Sequence, residues 1–542
     1  MTSTSEPFVP AASAAGSTTT RDADTQRLHE LGYAQELHRG LGWFSNFAVS
    51  FTIISILTGG ITTYYLAMSD GGPRVATVGW VFVGIMALMV GLAMAEVCSA
   101  FPTAGGLYYW AAKTAKPGKA AIWSWYTGWF NLIGQVAVTA SIDFGLATII
   151  GYFFQLTFWT GFAGRPWQIL AIYFVVLAAH GLINSFGVRL VARLNDISVW
   201  WHVIGTIVLV ILLFALPSHT TTIGDALTTT NNNSGFTGTD AATTLWLTLC
   251  GLMLTQYTIT GFDASAHMTE ETQDAARSGP RGIVTSVWVS AVVGFVLMIG
   301  LTIAVPFATG TDEYNAIANK GILAGPSIIV SAIGGNLAKF VLFAIIVAQF
   351  FCGMASVTAN SRMIYAFSRD GAIPGSKHWH KINPRTRTPT NSIWFAVVGA
   401  GLLGLPSLYT RAGYAVAFFA IVSVAVVGLY VSYVIPVFLR RRNAAFVPGP
   451  WSLGRWSPIV GWVAIVWVII ILFPLMGPQF YPFVDGKFEP NYFNFAPIVM
   501  LLVIGFAAIY WAVSARNWFK GPKVQGSADE LAAIERDLTL PG

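Results

Sequence analysis

Two short stretches of this 542-residue chain carry backbone groups that could bind a small charged molecule. The first is Ser55-Ile56-Leu57-Thr58-Gly59-Gly60, where two adjacent glycines and two hydroxyl residues interrupt an apolar run. The second is Tyr257-Thr258-Ile259-Thr260-Gly261-Phe262-Asp263, at a similar depth in another run. Glycine weakens a helix, and an unwound turn frees amides and carbonyls that lipid cannot satisfy. At Thr58, Gly59 and Gly60, amides at the start of an outer half-helix suit a carboxylate, and the positive dipole end adds to the attraction. Carbonyls of Thr258 to Gly261 suit an ammonium, so the two stretches together describe a zwitterion site. Either glycine-bearing stretch alone reads equally as close helix packing. Matched breaks in two helix sets point instead to a transporter with its site at the bilayer midplane.

A charge at a membrane helix centre costs about 2.5–3.5 kcal/mol, so Glu96, Asp143, His180, His202 and Asp263 each need a reason. Glu96 lies near the inner end of its run and is expected to be a structural partner at an inner gate. Asp143 either faces the cavity or caps a neighbouring helix. Asp263, directly after the second break, is expected to cap the inner half-helix, with cation binding as the alternative. His180 reads as a buried polar contact.

The elements that must position these residues follow from composition. Hydrophobic residues make up 55% of the chain and charged ones 10%, against roughly 25% charged in soluble domains, and mean hydropathy is +0.63. Net charge is +6, but the basic residues lie singly or in short runs between apolar stretches, so no nucleic-acid face is indicated. A helix needs about 20 apolar residues to cross the hydrocarbon core. Twelve such runs are found, at 44–68, 78–100, 121–155, 167–186, 194–216, 243–267, 282–308, 335–367, 390–407, 412–438, 457–476 and 494–515, named spans 1 to 12. With both termini inside, most of the 30 lysines and arginines fall in inner segments, as the positive-inside rule requires. The organisation expected is a disordered cytoplasmic tail (1–43), a first five-helix repeat (44–216) and an outer loop (217–242). A second repeat (243–438), two further helices (439–515) and a cytoplasmic tail (516–542) complete it.

Several stretches carry a family resemblance. AEVCSAFPTAGGLYYW, from Ala95 to Trp110, is similar to the signature of the amino acid–polyamine–organocation superfamily. GFDASAHMTEETQDAARSGPRGI, from Gly261, resembles the signature of its amino acid/choline transporter family. YTGWFNLIGQVAVTASIDF in span 3 and SRMIYAFSRDGAIP after span 8 are similar to bidirectional amino acid transporters and GABA permeases. The resemblance covers roughly residues 40 to 515. It implies the fold of the sodium-coupled leucine transporters: an all-α integral membrane protein of 12 helices, with two inverted five-helix repeats, helices 1 and 6 broken, and two extra helices. It also implies transport of amino acids, GABA, choline or polyamines by proton symport, exchange or facilitated movement.

By position, Thr58, Gly59 and Gly60 match the superfamily's Gly-Ser-Gly break, with Thr58 where glycine is usual. Thr258 to Phe262 match the span 6 break, where an aromatic gate is common and Phe262 or Tyr257 would serve here. In proton-coupled relatives a lysine follows a Leu-Asn pair in span 5 by seven residues. Counting from Leu194-Asn195 reaches His202, an imidazole able to change charge near physiological pH or simply to bond a neutral neighbour. In span 8, Ser356, Thr358 and Asn360 stand at the depth of a sodium site.

The remaining signals are weak. Cys98, Cys250 and Cys352 form no C-x-x-C, and His378-Trp379-His380 lacks a third ligand, so no metal or cofactor is expected beyond a coupling proton or sodium ion. Asn232-Asn233-Ser234 matches a glycosylation sequon. Arg440-Arg441-Arg442 reads as a topology anchor, and Ser527 to Asp537 as a short charged helix. Enzyme motifs are absent. The reading is a secondary transporter in a plasma (inner) membrane, moving an amino acid or GABA by alternating access around Ser55, Leu57, Thr58, Gly59, Gly60 and Tyr257 to Phe262. Coupling falls to His202, Asp263, Ser356 or Thr358. The alternatives are a carrier of choline or polyamine-type cations and a membrane ligand sensor on the same scaffold. Membrane lipid is the other expected partner, and the oligomeric state is left open.

Overall fold

The computed structural model describes residues 20–217, 221–408 and 415–539. Eleven helices among the described residues are long and apolar enough to cross a membrane. They match the expected spans except span 6, which is divided into Ala241–Gly251, Met253–Thr258 and Ala264–His267, each too short to cross alone. Span 1 is likewise two helices, Trp43–Ile54 and Gly59–Ser69. The unbroken spans include Gly72–Ala100 (span 2), Ala120–Thr157 (span 3), Pro166–Ser185 (span 4), Val188–Ala215 (span 5) and Ala275–Ile303 (span 7). Gly335–Arg369 (span 8), Thr390–Gly404 (span 9), Ala415–Arg441 (span 10), Ser457–Met476 (span 11) and Ala496–Tyr510 (span 12) follow. A short hairpin pairs Phe483–Val484 with Lys487–Phe488, and isolated bridges join Leu41 to Thr272 and Asp70 to Asn232.

Spans 1, 2, 3 and 4 pack against spans 6, 7, 8 and 9 respectively. Small residues permit the close approaches. A side chain on Gly428 of span 10 would meet the Gly134 Cα of span 3 at 2.6 Å, as in tightly packed membrane helices. Span 5 shows how sequence period sets orientation. Trp200, Ile204, Ile207 and Ile211 are exposed, forming a lipid-facing stripe, while Asn195, Ser198, His202 and Thr206 are buried on the opposite face. Spans 3 and 8, of 38 and 35 residues, run to about 57 and 52 Å at 1.5 Å per residue. Both exceed the hydrocarbon thickness of about 30 Å.

Two regions depart from expectation. The N-terminal segment is not an unstructured tail throughout. Residues 1–19 lie outside the described residues, but Thr20–Glu30 is a helix and the strap after it buries Leu31, Tyr33, Leu37 and Leu41. Those apolar residues are spaced through a polar stretch, and their burial offsets the cost of ordering it. The strap meets the C-terminal segment, where Ala34 N donates to Gln525 Oε1 at 2.7 Å and Gln35 N to Glu535 Oε1 at 2.7 Å. The expected charged C-terminal helix is Ala528–Thr539. On the outer side, Asp312–Ala318 and Gly321–Ile333 form a pair bent by 112° between spans 7 and 8. Gly325 in that pair lies so close to span 1 that a Cβ would meet Ile61 O at 2.3 Å.

Asp70, just past the outer end of span 1, is fully buried, and neither carboxylate oxygen has a hydrogen-bond partner among the described residues. Burial pushes its carboxyl well above the ordinary range. An acid whose folded pKa is raised costs stability once pH exceeds its unfolded value. Asp70→Asn is therefore expected to be more heat-stable than the parent at pH 7, by about 1 kcal/mol on the scale of an unsatisfied buried group. The gain should vanish at acid pH, and thermal unfolding of detergent-purified protein at both pH values checks it.

Candidate functional site

Both breaks are real interruptions, and they touch. Span 1 stops at Ser55, which takes the left-handed conformation at φ 41°, and restarts at Gly59. In span 6, Gly261 has φ 87°. A Cβ on Gly59 would lie 3.0 Å from Thr258 Cγ2, and one on Gly261 2.4 Å from Ile53 Cγ2. Each glycine thus lets one break seat against the other.

Between the breaks lies a small cavity with a water-accessible volume of about 20 Å³. Ser55, Thr58, Gly59, Tyr257, Thr258 and Thr260 line it, with Ile142 of span 3 and Gln349 and Cys352 of span 8. Its wall carries hydroxyls, an amide and apolar groups, and no Asp, Glu, Lys or Arg. Gln349 Nε2 donates to Ile142 O at 3.0 Å, leaving Oε1 without a partner among the described residues.

Other expected binding residues point elsewhere. Leu57 packs toward Gly205 of span 5, and Gly60 faces Met298 and Trp80 of spans 7 and 2. The Ile259 carbonyl accepts from Tyr430 OH at 2.7 Å, and Phe262 packs on Tyr430 and Tyr433. The aromatic ring at the cavity is therefore that of Tyr257, whose hydroxyl donates to Ser141 Oγ at 2.8 Å. The amides expected to greet a carboxylate are also partly used. Thr58 N and Gly59 N both donate to Ser55 O, at 2.9 and 2.8 Å, because the left-handed turn folds that carbonyl back over them.

His202 reaches this turn. Its Nε2 lies 2.8 Å from Ser55 Oγ, and its Nδ1 lies 2.8 Å from Ser198 O. A carbonyl only accepts, so Nδ1 carries a proton and Nε2 accepts from Ser55. Ser55 Oγ is in turn 2.5 Å from Thr58 Oγ1. The expected span 8 partners do not join this cluster. Ser356 Oγ bonds Thr139 of span 3 at 2.8 Å, and Thr358 Oγ1 bonds Asn184 of span 4 at 2.7 Å. Asn360 Nδ2 reaches Thr139 Oγ1 at 3.3 Å.

Asp263 makes no capping bond to the inner half-helix, contrary to expectation. Its carboxylate accepts from Tyr433 OH at 2.7 Å, Gln135 Nε2 at 2.8 Å and Asn131 Nδ2 at 3.2 Å, and lies 3.3 Å from His267 Nε2. Asn131 and Gln135, four residues apart in an apolar helix and hence on one face, are the sequence signal for this cluster that reading motif by motif overlooks.

Beyond it, at the end of the bundle where the N-terminal strap packs, lies a seal of buried ion pairs. Glu271 Oε1 is 2.7 Å from Arg362 Nε, and Glu270 Oε1 is 3.0 Å from Arg369 Nη2. The Arg369 guanidinium lies 3.8 Å over the Tyr33 ring of the N-terminal strap. Asp370 accepts from Tyr108 at 2.8 Å and Tyr33 at 3.0 Å, and Ala104 N donates to Glu270 Oε1 at 2.9 Å. The stretches around Ala104 to Tyr108 and Glu270 to Glu271, remote in sequence, thus meet at the inner seal. Glu96 joins its edge, accepting from Ser457 Oγ at 2.5 Å with Arg440 at 3.6 Å.

A family model described as amino acid permease matches residues 41–506. The chain belongs to the amino acid permease family. It is 42% identical over 514 residues to the amino-acid permease BAT1 of Arabidopsis thaliana, covering 92% of this chain and 96% of the relative. It is 41% identical over 517 residues to the BAT1 homolog of Oryza sativa subsp. japonica, with the same coverage. A GABA-specific permease of Saccharomyces cerevisiae is 30% identical over 524 residues, covering 95% of this chain and 88% of that one. The permease is a multi-pass membrane protein whose family role is amino acid transport, and its matched region takes in both breaks and the buried Glu270–Arg369 and Glu271–Arg362 pairs, with Tyr33 lying before it.

Proposed function

We propose that this permease is a secondary transporter of a zwitterionic amine, an amino acid or GABA, which it carries across a plasma membrane with both termini cytoplasmic. The observation that carries the reading is the cavity between the two breaks. Its wall has no charged side chain, so it favours a substrate whose own charges cancel, whereas an isolated cation or anion would be buried unpaired. The carboxylate is assigned to the Ser55 and Thr58 hydroxyls and the span 1 amides, which exchange the Ser55 carbonyl for the ligand. The ammonium is assigned to Gln349 Oε1 and the Thr258 and Thr260 side of the cavity, with Tyr257 covering the site. Choline, with no carboxylate, leaves the first subsite idle.

Coupling to protons is assigned to His202 at the break. Protonation of Nε2 would turn that atom from acceptor to donor, reversing the hydrogen bond that holds the Ser55 turn. In liposomes, labelled GABA and alanine are expected to accumulate under an inward proton gradient and choline is not. His202→Lys, which fixes a positive charge beside the turn, and His202→Ala, which removes the titrating group, are expected to flatten the pH dependence of uptake. Accumulation of choline alone would overturn the zwitterion assignment. An unchanged pH profile in both variants would overturn that of His202.

A further inference from the structure

Asp143 of span 3 and His180 of span 4 are fully buried and face each other, His180 Nδ1 lying 3.1 Å from Asp143 Oδ2. The other atom of each group, Asp143 Oδ1 and His180 Nε2, has no hydrogen-bond partner among the described residues. The pair fits into a hollow kept open by Gly353 of span 8, where a Cβ would overlap Asp143 Oδ1 at 2.0 Å and lie 2.5 Å from His180 Cε1. Residues next to the pair form the cavity wall: Ile142 precedes Asp143, and Cys352 precedes Gly353. Cys352 Sγ also reaches Ile53 O, at 3.1 Å, at the edge of the span 1 break. The titratable side chains that feel the Asp143 carboxylate are Tyr173 of span 4, Tyr257 of span 6 and Cys352 of span 8. None of these is a cation, so apart from His180 they supply nothing to neutralise it.

We propose that the Asp143–His180 pair is a second proton-binding site of the permease, which loads one proton with each substrate and releases it on the inner side. The proposal rests on the transport reading above. With Nδ1–H donating to Oδ2, the unloaded pair carries one negative charge. An incoming proton bonds to His180 Nε2, giving imidazolium beside carboxylate with no net charge, and the same bond breaks on release; nothing else is exchanged. A buried lone charge is expensive and a neutral pair much less so, so loading favours the closed, dry arrangement around the cavity and unloading favours one that admits water. His202 differs, being satisfied on both nitrogens as a neutral ring and having no acid as its partner.

The test is proton movement per substrate moved, read with a trapped pH dye and labelled GABA or alanine in liposomes holding the full-length protein. Asp143→Asn and His180→Gln are expected to lower the proton-to-substrate ratio by about one, roughly halving it where His202 is intact, while still exchanging labelled for unlabelled substrate at a reduced rate. Gly353→Ala, which displaces the pair without altering it chemically, is expected to uncouple likewise. Wild-type proton-to-substrate ratios in both Asp143→Asn and His180→Gln would overturn the proposal. So would loss of exchange in both, which would mark the pair as structural. Substrate movement without proton movement in the wild type would overturn the pair and the His202 assignment together but leave the zwitterion site standing, whereas absence of any GABA or alanine flux would overturn the transport reading beneath it.

Discussion

Gly59→Val and Gly261→Val are expected to abolish substrate uptake by the permease at normal expression, lowering it at least about 100-fold, the equivalent of ~2.7 kcal/mol. At Gly59 the first added carbon already lies 3.0 Å from Thr258, and the branches beyond it would enter the cavity. At Gly261 the strain is double: φ is 87°, a conformation costly to a β-branched residue, and the Cβ would overlap Ile53 at 2.4 Å. Gly60→Ala is the informative control. Its Cβ would press on the terminal methyl of Met298 at 2.8 Å, the far end of a flexible side chain, and it faces away from the cavity. Uptake by Gly60→Ala is therefore expected to fall only a few-fold. Initial rates in liposomes at matched protein content check all three. Retained uptake in Gly59→Val would remove the case for a substrate site at the meeting of the two breaks.

Arg362→Ala is expected to unlock the inner side. It leaves Glu271 buried without the guanidinium that holds it at 2.7 Å, and breaking a buried pair by removing one partner costs about 3–5 kcal/mol. That is comparable to the whole bias a gate needs, since moving a two-state equilibrium from 1:99 to 99:1 takes about 5.5 kcal/mol. The variant is expected to populate inner-open forms, to lose accumulation against a gradient, and to keep exchange. Cys352 supplies a native reporter, because it is buried at the cavity wall. Its labelling by a membrane-impermeant thiol reagent added on the inner side should accelerate in Arg362→Ala, and slow again in Glu271→Gln/Arg362→Gln, where no unpaired charge remains. Labelling at the parent rate in Arg362→Ala would mean that this pair does not hold the seal.

Span identity was legible from sequence because lipid imposes a single rule, that about 20 apolar residues must hydrogen-bond internally. The breaks were legible for the converse reason: Gly59-Gly60 and Gly261 put helix-weakening residues where that rule is strictest. The inner seal was legible only in outline. Glu270, Glu271, Arg362 and Arg369 stand in stretches that carry the family resemblance, yet nothing local says which acid meets which base. The N-terminal strap was misread because its few leucines and Tyr33 lie in a polar context, and only a preformed groove on the inner face gives them somewhere to go.

The site divides along the same line. The family resemblance reached His202 by counting from Leu194-Asn195, and the structure buries it opposite the exposed stripe of Trp200, Ile204, Ile207 and Ile211. Helical period cannot assign partners. That Ser55 folds its carbonyl over the Thr58 and Gly59 amides depends on a left-handed turn at one residue. That Ser356 and Thr358 bond spans 3 and 4 rather than span 5 depends on how span 8 is rotated among three neighbours. That Asp143 meets His180 depends on Gly353 leaving room across a third helix. The sequence by itself determined a multi-span membrane protein with two matched breaks, because those features follow from local composition against lipid. Only the tertiary structure decided which polar groups face the cavity and which face each other, because every one of those pairings is a contact between helices that the chain order keeps apart.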